Sequence, residues 1–122
     1  MGKRLQEYEI VVLGEEKHVA YNREGLSSCI IFSRSIPQLY LNPLEWYASH
    51  KPGLLAYHIN TLAIEINTKN RCIFTQNGDY IIHDILVLVT GSDALLPGHT
   101  PDHDAKGVFV YRTIEDLERM VE

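Results

Sequence analysis

The apolar positions of this chain change period along its length, and each change predicts an element. Ile10-Val11-Val12-Leu13 is a short apolar run that reads as a buried strand, ended by Gly14. "AYNREGLSS" turns polar, and the overlapping "LSSCIIF" predicts a short helix facing the core. "LNPLEWYASH" predicts a second helix, with Asn42 capping the first amide donors, Pro43 at the first helical position and Lys51-Pro52-Gly53 as the stop. From Leu55 to Thr90 the pattern becomes β. Ile64 and Ile66 alternate with Glu65 and Asn67, as in a half-buried strand, and Arg71 to Thr75 forms the next strand across a polar turn. The Asn77-Gly78 dipeptide predicts a type I′ hairpin, both residues taking positive φ, with Tyr80 to His83 pairing back. Ile85 to Val89, "ILVLV", has no alternation and predicts a strand buried on both faces, as in a parallel sheet under helices. Thr113-Ile114-Glu115-Asp116 reads as a capping box with Asp in the Glu/Gln position, opening a helix that carries Leu117, Met120 and Val121.

These elements define an α/β fold with a β-meander. Neither repeat, low-complexity tract nor linker divides the 122 residues, so residues 1–122 read as one domain or part of one. The net charge of −5, with no basic cluster beyond Lys3-Arg4, argues against nucleic acid or an anionic membrane as partner. The longest apolar run, Ile81 to Val89, is interrupted by His83-Asp84 and falls far short of the roughly 20 residues of a membrane span. There is no apolar leader at the N-terminus, and Cys29 and Cys72 lack C-x-x-C spacing. A reduced, cytoplasmic setting is expected, with both thiols buried as small hydrophobes.

Candidate chemistry is sparse. Glu15 and Glu16 follow the first strand, where a carboxylate can accept the hydroxyls of a nucleotide ribose; the bland alternative is an exposed loop acid. "GSDALLPG", Gly91 to Gly98, would let backbone approach a ligand, or is an ordinary exit from a strand. His99 and His103 are four apart, but Pro101 between them breaks the helix that would align two rings on a metal. His18, His50, His58 and His83 read as surface or capping residues, and Leu44, Trp46 and Tyr47 as packing. Ser27-Ser28 lacks the turn of a nucleophilic serine. No catalytic acid, base, nucleophile or metal ligand is assigned.

Taken together, "VVLGEEKHVAYNREGLSS", "YLNPLEWYASH" and "DILVLVTGSDALLPGHTPDHDAKGVFVYRTIEDLERM" resemble the FAD-binding domain of the large, assimilatory NAD(P)H-dependent nitrite reductases, especially the fungal form. More broadly the chain is similar to the pyridine nucleotide–disulfide oxidoreductases. The resemblance runs from about Tyr8 to Glu122. It implies a partial Rossmann-like FAD/NAD(P)-binding domain, truncated at both ends, that lacks the first strand and glycine-rich loop, since only seven residues precede Tyr8. It implies FAD as cofactor. Glu15 or Glu16 would lie at the adenosine ribose, Arg23 beside the adenosine and pyrophosphate, and Ser28 near the flavin, where relatives carry lysine. Ala63 would meet the adenine ring through its backbone. Thr90 and Gly91 would form the turn beside the pyrophosphate, with Val89 in place of the usual alanine, and Arg112 and Thr113 would contact the flavin from the segment that leads towards the NAD(P)H domain.

Two functions follow from different classes. One is a fragment of an oxidoreductase whose parent passes hydride from NAD(P)H to FAD and electrons on to nitrite. The other is a non-catalytic remnant or self-associating module, its unpaired strands covered by a second copy or a partner chain. A missed upstream coding segment is a third explanation of the absent loop.

Overall fold

The computed structural model describes residues 8–49, 54–95 and 105–121. Strand β1, Ile10–Leu13, forms where expected but is not buried, with Ile10 and Val11 exposed and Val12 and Leu13 half-buried, and it pairs in parallel with β2, Leu55–His58. The register sets Ile10 opposite Leu55 and Leu13 opposite His58. Parallel pairing demands a long crossover, and the residues between β1 and β2 supply it. They include α1, Leu26–Phe32, and α2, Leu44–Ala48. Beyond the strand ends the bonding continues. The Gly14 amide donates to the His58 carbonyl at 2.9 Å, Thr61 N–H to the Gly14 carbonyl at 2.8 Å, and Asn60 N–H to the Glu16 carbonyl at 2.9 Å. Asn60 reaches that position at φ 51, a left-handed conformation that asparagine tolerates better than most residues.

The meander is antiparallel: β3, Ala63–Asn67, then β4, Cys72–Thr75, then β5, Tyr80–Ile82. The 76–79 hairpin differs in type from the sequence expectation. Gly78 alone takes positive φ, at 86, while Asn77 does not. The Gly78 amide returns to the Thr75 carbonyl at 3.1 Å, and Thr75 N–H bonds the Asp79 carbonyl at 2.9 Å. That is a type I turn closed by a glycine bulge, in which one glycine suffices.

The chain divides into two units, Met1–Tyr21 with Leu41–Val87, and Asn22–Tyr40 with Leu88–Glu122. The first buries Val19, Cys72 and Ile73 with the polar Thr61 and Thr75; the second buries Leu26, Leu39, Ile114 and Leu117 with Asp116. Helix α3, Ile114–Val121, opens on the expected capping box. Thr113 Oγ1 accepts from the Asp116 amide at 3.1 Å, and Asp116 Oδ2 accepts from the Thr113 amide at 2.9 Å. Cys72 is buried, Cys29 is half-buried, and both are free thiols.

Several expectations are corrected. Ile85 to Val89 is not a strand: no described strand bonds to it, and Ile85, Val87, Leu88 and Val89 are 72, 72, 63 and 85% exposed. An apolar run of this kind is buried on both faces only between two neighbours, and it has none among the described residues. Ile64 and Ile66 lie in β3 but are exposed, so the alternation finds no covering layer among the described residues. Helix α2 starts one residue later than expected, with Pro43 rather than Asn42 at its cap and no side-chain capping bond, because Pro43 is extended at ψ 154. Helix α1 faces the core through Leu26, whereas Ile30, Ile31 and Phe32 are exposed. In α3, Leu117 is buried while Met120 and Val121 are not. His83 is half-buried rather than on the surface, and its ring nitrogens are shielded from solvent with no hydrogen-bond partner among the described residues. The helix stop at Lys51-Pro52-Gly53, His50, and the His99–His103 pair with Asp102 and Asp104 lie outside the described residues.

Candidate functional site

The first unit presents the acids. Because β1 ends at Leu13 and Gly14 is tied to His58, Glu15 and Glu16 stand just past the carboxyl end of a parallel strand, where open α/β sheets take their ligands. The two acids are not equivalent. Glu16 is half-buried, and its Oε2 accepts the Tyr21 hydroxyl at 2.6 Å. Glu15 is exposed and has no hydrogen bond or ion pair among the described residues. Aromatic rings stand nearby. Tyr47 and Tyr57 lie 5.0 Å apart at 59°, and Trp46 meets Tyr47 edge-on at 5.0 Å. Burial pushes the Tyr57 phenol up, helped by Tyr47 and by the Glu16 charge, while a hydrogen bond with the Ala20 backbone pulls the other way. The Tyr47 hydroxyl is buried without a hydrogen-bond partner among the described residues. Ala63, in the same unit, opens β3 opposite Thr75, next to a bulge at 63–65.

The second unit presents the cations. Arg23 stands in a turn of 3-10 helix that Asn22 caps by accepting the Glu24 amide at 3.1 Å. Its Nη1 donates to the Arg112 carbonyl at 3.1 Å. Arg112 in turn donates from Nη2 to Ser92 Oγ at 2.9 Å, and from its amide to Asp116 Oδ2 at 3.0 Å. Arg23 and Arg112, 89 positions apart in sequence, are thus brought together. Gly91 adopts φ +69, and a side chain placed there would meet no atom within 4 Å, so this turn is open to close approach. Thr90 is exposed beside it. Ser28 is turned inward on its own helix, donating to the Gly25 carbonyl at 2.5 Å.

Asp116 organises this cluster. It is 4% exposed. Burial alone would raise its pKa, but hydrogen bonds from Thr113, Arg112 and Arg119 outweigh that and hold the carboxyl below its ordinary value. Tyr21, Ser92 and Asp116 escaped the sequence reading as site residues. Only Asp116 had a local signal, the capping box; the other two act through partners that spacing does not reveal. Among the described residues no group of three or more His, Cys, Asp or Glu is placed to hold a metal ion, and no helix is long and apolar enough to cross a membrane.

The parallel pair with its crossover and meander make this a partial Rossmann-like α/β domain. Solved structures of the same fold include an NADH:rubredoxin oxidoreductase from Clostridium acetobutylicum, with TM-score 0.78 at 22% identity over 90% of this chain and 28% of that one. A NAD-dependent persulfide reductase from A. fulgidus gives TM-score 0.79 at 24% identity over 97% and 23%. No protein-family model matches the chain.

Sequence relatives narrow the class. The chain is 55% identical over 117 residues to the nitrite reductase [NAD(P)H] of Emericella nidulans, a match covering 96% of this chain and 10% of that protein. It is 51% identical over 124 residues to the Neurospora crassa counterpart, covering 95% and 10%. Over nearly its whole length the chain is therefore related to one segment of the NAD(P)H nitrite reductases. It spans about a tenth of the length of these relatives.

Proposed function

We propose that residues 1–122 form an incomplete FAD/NAD(P)-binding domain, a flavin-contacting segment of a nitrite reductase-like oxidoreductase. The observation that carries this reading is Glu15, an exposed acid without a partner among the described residues, just past the carboxyl end of a parallel strand. Its carboxylate suits the paired hydroxyls of an adenosine ribose. The second unit, taken by itself, holds Arg23 and Arg112, whose charge suits a pyrophosphate, and a Gly91 turn open to close approach. Ala63 is the backbone contact proposed for adenine. Ser28, bonded to its own helix, is the weakest member of the set. Of the two acids, Glu15 contacts the ribose, while Glu16 braces the loop through Tyr21.

Bound FAD supplies the redox chemistry between NAD(P)H and nitrite in the parent enzyme. The residues of this chain bind and orient it, and a cytoplasmic setting accords with the two free thiols. Titration of FAD with the purified chain tests the reading through flavin fluorescence. Saturable quenching is expected, weakened about tenfold by Glu15→Gln and within twofold of wild type for Glu16→Gln. An unchanged flavin signal at millimolar protein would remove the flavin assignment.

The exposed run at Ile85 to Val89 favours a second property, self-association of the isolated chain. Sedimentation velocity is expected to show a concentration-dependent dimer or larger species, shifted towards monomer by the pair Val87→Lys and Val89→Lys. A strictly monomeric wild-type chain across a hundredfold range of concentration would count against it.

A further inference from the structure

The flavin reading assigns no role to Ser92, yet the arginine at the centre of the cationic cluster is fixed there. Arg112 is held at three points within one unit. Its carbonyl accepts from Arg23 Nη1, its amide donates to the buried Asp116 carboxylate, and its guanidinium donates to Ser92 Oγ at 2.9 Å. The first two bonds fix only the backbone. A long arginine side chain left to itself samples many rotamers, and ordering it on a ligand is costly. The third bond removes that freedom in advance, through a residue 20 positions earlier and immediately after the open Gly91 turn. Arginine's fork has five donors, so a single bond to a hydroxyl leaves most of them for an anion.

We propose that Ser92 is a positioning residue that locks the Arg112 guanidinium beside the Gly91 turn, preorganised for the diphosphate of a dinucleotide ligand. The ligand half of this proposal rests on the flavin reading above; the lock itself does not. A serine at this place therefore acts through Arg112, without itself meeting the reacting ring.

Two measurements on the full chain separate the halves. The first is NMR of arginine side-chain nitrogens, which reads rotation about the Nε–Cζ bond. Rotation at Arg112 is expected to be slow relative to exposed Arg34, to become as fast as Arg34 in Ser92→Ala, and to slow again in Ser92→Thr. Equal rates at Arg112 in wild type and Ser92→Ala would overturn the lock. The second is FAD titration, where Ser92→Ala is expected to weaken binding about threefold to tenfold, with unchanged melting temperature and recovery in Ser92→Thr. A lost lock with unaltered FAD affinity would overturn the preorganisation. Failure of the wild-type chain to bind FAD would overturn the flavin reading and the ligand half together, and the NMR result would then decide the lock alone.

Discussion

Ile114→Ala is expected to destabilise the second unit by about 2–5 kcal/mol, the range for removing a large aliphatic side chain from a packed site. Ile114 is the first residue of α3 and 0% exposed. The described apolar core of that unit otherwise consists of Leu26, Leu39 and Leu117. With so few buried side chains, neighbours cannot collapse into the space without uncovering one another, so the upper half of the range applies. Domains are stable by only about 5–15 kcal/mol, and a small core lies at the low end. The change should therefore bring unfolding of this unit close to ambient conditions. Hydrogen exchange of the Leu117 amide, which bonds the Thr113 carbonyl at 3.2 Å, reports it locally. Val121→Ala, on the same helix but 67% exposed, should stay within about 0.5 kcal/mol of wild type. Matching protection at Leu117 in the two variants would show that Ile114 is not the core residue described.

The elements with short-range causes were legible in the sequence. A β-branched run cut by glycine gave β1, turn chemistry gave the meander, and reciprocal capping placed the start of α3 at Ile114. The environment of each element was not legible. Ile64 and Ile66 have the alternation of a half-buried strand, but alternation records only which side needs cover, not whether cover is present. The same gap explains Ile85 to Val89. The composition of a doubly buried strand is there, without a neighbour in the described residues to bond its backbone.

The site divided along the same line. Position after a strand singled out the Glu15-Glu16 doublet, but what distinguishes the two is the Tyr21 hydroxyl bonded to Glu16, five residues on and invisible as a partner until the loop is folded. Arg23 and Arg112 came from resemblance and are joined by a bond spanning 89 positions. No local pattern encodes such a contact. Asp116 was read only as half of a cap, whereas its carboxylate also accepts the amide of Arg112. One residue therefore serves both the helix cap and the cationic cluster.

That double service makes Asp116 the second position with a large expected effect. Asp116→Ala removes an acceptor from the amides of Arg112 and Thr113 and from the Arg119 guanidinium. Arg119 is 63% exposed and rehydrates, so its ion pair adds little; the loss falls mainly on the two amides, about 2–3 kcal/mol. The acid dependence follows from the lowered carboxyl pKa: burial raises it, and the hydrogen bonds from Thr113, Arg112 and Arg119 outweigh that. A group whose pKa is lower folded than unfolded stabilises the fold fully above the unfolded value, near 4, and loses that contribution as pH falls through the folded value. Wild type should therefore lose stability relative to Asp116→Asn as pH falls below about 4, because asparagine cannot titrate. The difference between the two in urea midpoint, followed from pH 6 downward, isolates Asp116 from the other carboxylates. A constant difference across that range would mean that the buried carboxylate is not the anion the two amides hold. If the difference closes as expected, exchange protection at the Arg112 amide should fall with it, since cap and cationic cluster share a single oxygen, Oδ2.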